Sequence, residues 1–295
     1  MRALARATTP REPQDGPSED DDRETMALLT RAALDALCLL LGASGGGARR
    51  PFGGAHAAAL AEQLDTVLEM GGGAAIGRAL AAGASDEALV FHGLRVLCAL
   101  TRPVSGLPEG SQDHPQARAE RVTSDGTLGA ALLALAAQRA SARVQLVGVR
   151  LIGQVCEGSE SVGSGSARRA QDVCDGGGIG AALAALWHHA DSSDVALAAS
   201  WAIHGICVGE APAARARGRC AVVEGALVAL VGVLRTHGQR LRNVNEAACA
   251  ALGAIVGTDD AEIRMLAAEA AGVRGEWLGI VPPPVEVELQ QVHWM

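Results

Sequence analysis

Apolar and polar residues along this chain follow the 3.6-residue period of helices, in stretches cut by glycines and short polar segments. The clearest stretch is residues 175–209, DGGGIGAALAALWHHADSSDVALAASWAIHGICVG. It reads as a glycine turn, an amphipathic helix, a polar break and a second, more apolar helix. The same order recurs on both sides. Each unit is predicted to hold a short first helix ending at a glycine or small residue, a longer second helix, a polar loop and a most apolar third helix. First helices end within 61–73, 117–128, 167–179, 217–227 and 262–273. Second helices cover 75–83, 128–138, 179–189 and 226–236, and third helices 88–101, 144–156, 195–207 and 245–256. A further helix is expected over 24–42. Loops are expected at 103–116, 158–166 and 209–219.

The third helices align on a small residue, Gly93, Gly148, Ala199 and Ala248, at intervals of 55, 51 and 49 residues, and Ala33 fits the same frame 60 residues earlier. Such drift suits a unit of about 40–47 residues carrying loop insertions. No strand alternation competes. The expected fold is all-α, an α-solenoid of about four full three-helix repeats with partial terminal caps, in which neighbouring units share one core. The small frame residues are expected to let one unit lie close against the next. The domain spans 24–282, between an acidic tail at 1–23 that composition predicts to be disordered and a C-terminal tail at 283–295.

At this level of detail the chain resembles armadillo repeats. CDGGGIGAAL is similar to the family's Gly-Gly-Ile-Pro-x-Leu turn, with Gly180 where proline is usual. AASWAIHGICVGE resembles an armadillo third helix of the importin-alpha type. HEAT repeats are the alternative, and the glycine-turned short first helix favours armadillo. The resemblance implies a right-handed superhelix whose third helices line a concave groove for a partner segment. In the nuclear import adaptors that groove carries a ladder of Trp and, four residues on, Asn. Here the Trp places hold Asp35, Arg95, Arg150, Trp201 and Ala250, and the Asn places hold Leu39, Ala99, Gln154, Gly205 and Ala254. One Trp and no Asn cannot build that ladder. The groove instead offers Arg95, Arg150, Gln154, Trp201 and His204, which suits an acidic or phosphorylated segment with an apolar anchor. Arg95 and Arg150 are expected about 10 Å apart on adjacent helices. The plainer alternative is that they solvate an inner face or pair with Asp35 and Glu87.

Composition narrows the chemistry. All 25 basic residues are Arg, so P-loop and Schiff-base lysine chemistry are excluded. A formal net charge of -8 argues against nucleic acid. The seven cysteines show no metal spacing, and Cys38, Cys98, Cys156, Cys207 and Cys249 fall in apolar helical stretches as small core residues of a reducing compartment. The N-terminus has no apolar signal segment, and no uncharged run is long enough to span a bilayer.

Other motifs read as structure. Gly71 to Gly73 and Gly176 to Gly180 follow no strand and continue into no GK[ST], so they are helix turns. His188 and His189 point about 100° apart on a helix and read as a solvated end. Arg215, Arg217, Arg219, Arg235, Arg240 and Arg242 read as solvated loop charge. The expected protein is therefore a non-enzymatic scaffold with no catalytic residues, cofactor or metal. It is expected to be a monomer in the cytoplasm or nucleus, without membrane insertion. A transport adaptor for peptide cargo, or a regulatory array like those of large multidomain kinases, are the alternatives.

Overall fold

The computed structural model describes residues 33–34, 54–105, 107–108, 113–157, 165–209, 212–238 and 240–257. The expected tails, most of the helix at 24–42 and the last first-helix ending at 262–273 lie outside them, as do Asp35, Cys38 and Leu39. The described residues are helical throughout, without strands, in twelve α-helices that pack against their neighbours. These are α1 (Gly54–Glu69), α2 (Gly72–Ala82), α3 (Glu87–Thr101), α4 (Pro115–Ser124), α5 (Thr127–Ala137) and α6 (Ala142–Cys156). They continue with α7 (Ser166–Asp175), α8 (Gly178–His188), α9 (Ser193–Cys207), α10 (Pro212–Val223), α11 (Ala226–Val233) and α12 (Arg242–Val256). A π-helical turn, Leu234–Gly238, extends α11.

The helices fall into four sets of three. Between the first and second helix of each set stands a left-handed glycine, Gly71, Gly126, Gly177 or Gly225, with φ of 80°, 74°, 86° and 92°. Only a residue without Cβ adopts that backbone at little cost, which is why the expected turn glycines sit there. Two expected loops are shorter than composition suggested. Helix α4 begins at Pro115 and α10 at Pro212, each with a proline at its first position, where the missing N–H costs nothing. Asp86, Ser141 and Ser192 then start the third helices α3, α6 and α9, each accepting hydrogen bonds from first-turn backbone N–H groups.

One apolar core runs from Leu34 to Ile255, built from Leu, Val, Ile and Ala. Third helices pack in a row, α3 on α6, α6 on α9 and α9 on α12. The frame residues Gly93, Gly148, Ala199 and Ala248 are all buried. The two glycines among them play a different role from the expected one. A Cβ on Gly148 would lie 2.1 Å from Leu135 Cδ2, and one on Gly93 2.8 Å from Leu80 Cδ2, so each makes room for a leucine of its own unit's second helix. Close approach between units falls elsewhere. A Cβ on Gly77 would meet Thr127 Cα at 3.0 Å, and one on Gly205 would meet Cys156 Cβ at 3.1 Å.

Two polar ladders stitch the sets together. Arg118, Arg169 and Arg217, each eight residues before a turn glycine, are only 2% exposed. Each reaches back from a first helix to the C-terminal end of the preceding third helix. Arg118 Nε donates to Leu100 O at 2.7 Å and Nη2 to Arg102 O at 3.0 Å. Arg169 does the same to Val155 O and Glu157 O, at 2.9 and 3.2 Å, and Arg217 to Ile206 O and Val208 O. A helix end leaves carbonyls without intrahelical partners, and a planar fork of donors fits them. The reading of Arg217 as solvated charge is thus corrected. It lies within α10, on the helix's buried side.

The second ladder stands twelve residues after Gly126, Gly177 and Gly225. Gln138 Nε2 donates to Ala84 O at 2.9 Å, His189 Nε2 lies 2.9 Å from Arg139 O, and His237 Nε2 2.7 Å from Ala190 O. His189 is therefore a contact between units rather than a solvated end. The fourth set carries one extra residue: Ser141 and Ser192 follow their ladder residues by three positions, whereas Leu241 follows His237 by four. The π turn lies just before that insertion, and α12 starts without a side-chain cap.

Candidate functional site

Two residues beyond each buried frame position, the third helices α3, α6, α9 and α12 turn outward. Those places hold Arg95, Arg150, Trp201 and Ala250, and none of the four is buried. Because α3, α6, α9 and α12 pack in succession, the four places form a row across adjacent helices. Trp201 is 45% exposed, enough ring surface for contact.

At the α3 end the arginines are organised by an aromatic ring that the sequence reading passed over. The Arg95 guanidinium carbon lies 5.2 Å from the Phe91 ring centroid, and that of Arg143 lies 5.0 Å from the same centroid. A cation over an aromatic face is attracted by the ring quadrupole. The guanidinium sharing a ring with Arg95 is thus that of Arg143, not Arg150. Arg143 also takes the expected role of pairing with Glu87, its Nε 2.6 Å from Glu87 Oε1. The Ser141 hydroxyl donates to the same oxygen at 2.6 Å. Those hydrogen bonds, Ser141 first and then Arg143, hold the Glu87 carboxyl below the usual carboxylate range. Phe91 stands four residues before Arg95 on one helix face, a spacing that could have revealed it.

Arg150 is exposed on α6. One turn later Gln154 is half-buried, its Oε1 accepting from Thr101 Oγ1 at 3.4 Å. Gln154 and Thr101 line a cavity of about 280 Å³ with Pro103, Pro115, Gln116 and Glu157, at the C-terminal ends of α3 and α6. On α9 the Trp201 and His204 rings meet edge to face, centroids 5.4 Å apart at 81°. His204 Nδ1 lies 3.1 Å from Ala250 O on α12, so the ring that orients Trp201 is itself anchored to the next unit. The structure brings Trp201 and His204 into contact and places Arg95, Arg150 and Gln154 on the two helices before them.

Among the described residues no three His, Cys, Asp or Glu side chains are grouped to hold a metal ion. Cys156 and Cys207 are buried, Cys98 is half-buried, and Cys249 is exposed, its thiol donating to Asn245 Oδ1 at 3.1 Å. The core placement expected of Cys249 is therefore corrected: it sits one residue past buried Ala248, about 100° further round the helix, on its exposed side. Burial pushes the Cys156 and Cys174 thiols up to about 12, and that of Cys207 higher still. They are protonated at physiological pH. Among the described residues no single helix is long and apolar enough to cross a membrane; the one candidate pair among them, α10 with the helix after it, is bent by 74°. No protein-family model, curated protein or solved structure matches the chain.

Proposed function

We propose that this chain is a non-enzymatic protein-interaction scaffold, an armadillo-type α-solenoid whose third-helix face takes a partner segment. One observation carries the reading. Arg95, Arg150 and Trp201 stand at equivalent places on three adjacent helices, outward of a buried small residue each time. Guanidinium forks favour carboxylate or phosphate groups, and an indole beside them offers an apolar anchor point. Phe91 and Glu87 hold Arg95 and Arg143, and His204 orients Trp201, so less side-chain freedom is lost on binding. The partner is an acidic or phosphorylated protein segment with an apolar side chain.

Fluorescence anisotropy against acidic, phosphoserine-containing and basic peptides tests this. Acidic and phosphorylated peptides are expected to bind, more weakly as salt rises. Arg95→Glu with Arg150→Glu should lower that affinity at least about tenfold, with unchanged far-UV circular dichroism. Preference for basic peptides, or equal binding by the double variant, refutes the reading.

A further inference from the structure

The second helices present a surface that the third-helix face does not use. Helices α5, α8 and α11 contain no Asp, Glu or Arg. Yet Leu133, Trp187 and Val228 stand 70%, 58% and 65% exposed on them. Between α5 and α8 runs an apolar groove of about 230 Å³ with Gly129, Gly176, Gly177 and Gly180 in its wall and Leu133 beside them. Its counterpart between α8 and α11, about 250 Å³, is lined by Trp187, Val228 and Gly232. Protruding apolar side chains therefore alternate with hollows whose glycines leave them open.

Charge is confined to the two ends of this face. Asp125, Asp175 and Glu224 stand at the N-terminal ends of α5, α8 and α11; Arg139 and Arg235 stand at the C-terminal ends of α5 and α11, and His188 and Asp191 at that of α8. The helix dipole favours that arrangement within each helix. It also makes the face complementary to itself after a half-turn, acidic end against basic end. Copies of a chain with net charge -8 repel one another. Here the middle is uncharged and the ends match in sign.

We propose that this face pairs with the same face of a second copy, antiparallel, about a two-fold axis that runs across α5, α8 and α11 at mid-height. Such an isologous contact uses every knob and hollow twice. Helices α5 and α8 are 11 residues each, about 16 Å at 1.5 Å per residue. Three helices about 10 Å apart then cover about 500 Å². The pair buries about 1,000 Å², the lower limit of a specific interface. The dimer is therefore weak and concentration-dependent, unlike the monomer expected from sequence. With the axis perpendicular to the helices, each of them faces its own copy, so Arg139 of one copy faces Asp125 of the other, at two symmetric places. The contact stands independently of what the third-helix face binds.

Sedimentation velocity of the full chain from about 1 to about 200 µM tests it, a range chosen for a micromolar dimer. The mass should double toward the upper end. Leu133→Glu with Trp187→Glu, both at exposed positions, should stay monomeric throughout with unchanged circular dichroism. Arg139→Glu alone should weaken the dimer about tenfold, since two surface ion pairs are lost at once. Adding Asp125→Arg to it should restore association. The charge-reversal pair decides the matter if the Leu133 and Trp187 variant fails to fold. A chain that is monomeric at every concentration overturns the proposal. So does a dimer indifferent to all these changes, or a monomer that uses Leu133 and Trp187 to bind neutral lipid vesicles.

Discussion

Arg118→Met asks how much one rung of the arginine ladder contributes. Methionine keeps a flexible apolar stem and removes the guanidinium. Four contacts go with it: Leu100 O at 2.7 Å, Arg102 O at 3.0 Å, Asp65 Oδ1 at 3.0 Å and Asp113 Oδ1 at 2.7 Å. The Asp65 side chain is 34% exposed and regains water, so its pair counts for little. Asp113 is only 11% exposed and keeps the Val104 N–H at 2.7 Å, but loses its counter-charge. Leu100 O is left without its side-chain donor in the interior, at about 1–3 kcal/mol. Breaking a buried ion pair from one side costs about 3–5 kcal/mol. Removing the desolvated guanidinium returns part of this, and water at Arg102 O returns more, leaving a net loss of about 3–5 kcal/mol. At about 2–4 °C per kcal/mol for a domain of this size, the midpoint of thermal unfolding should fall by about 6–20 °C. Arg121→Ala is the control, because Arg121 lies on the same helix, is half-exposed and sits 3.8 Å from Glu69. It should cost under about 1 kcal/mol. Calorimetry or urea titration of both variants decides. An Arg118→Met loss no larger than that of Arg121→Ala would show that the ladder is not what holds the sets together.

Gly148→Ala should destabilise by about 1–3 kcal/mol through overpacking, since the new methyl would sit 2.1 Å from Leu135 Cδ2. Gly253→Ala, in α12 with nothing within 4 Å of the added carbon, should instead stabilise by about 0.5–1 kcal/mol. Chemical denaturation of both checks the contrast, and equal effects would contradict the packing described. For the cysteines, alkylation at pH 8 followed by peptide mass mapping should modify Cys249 first. Cys156, Cys174 and Cys207 should react only on unfolding, because burial keeps those thiols protonated well above pH 8. Early labelling of Cys156 would mean that the α6 C-terminus opens.

The helix grammar was readable because it is written in abundant residues. Apolar spacing marks each helix, and Gly71, Gly126, Gly177 and Gly225 mark the turns that require positive φ. The groove-facing places of Arg95, Arg150 and Trp201 came from the resemblance to armadillo third helices, aligned on Gly93, Gly148 and Ala199. Arg118, Arg169 and Arg217 were not readable in the same way. A single arginine in a polar helix such as PQARAERVTS looks solvated by any hydropathy measure. Only the constant spacing of eight residues before the turn glycine distinguishes it. Phe91 carries no charge to mark it in the sequence, although its ring lies against both the Arg95 and Arg143 guanidiniums. The extra residue after His237 was invisible, since it shifts an interval that was already drifting.

Both ladders end on main-chain oxygens, which every amino acid supplies alike. As far as these two ladders go, a block of three helices could accordingly be duplicated, lost or exchanged without a matching change in the block beside it. Selection on what the outer surface touches is then decoupled from selection on cohesion, so equivalent places can diverge as far as arginine, tryptophan and alanine while the seams stay the same.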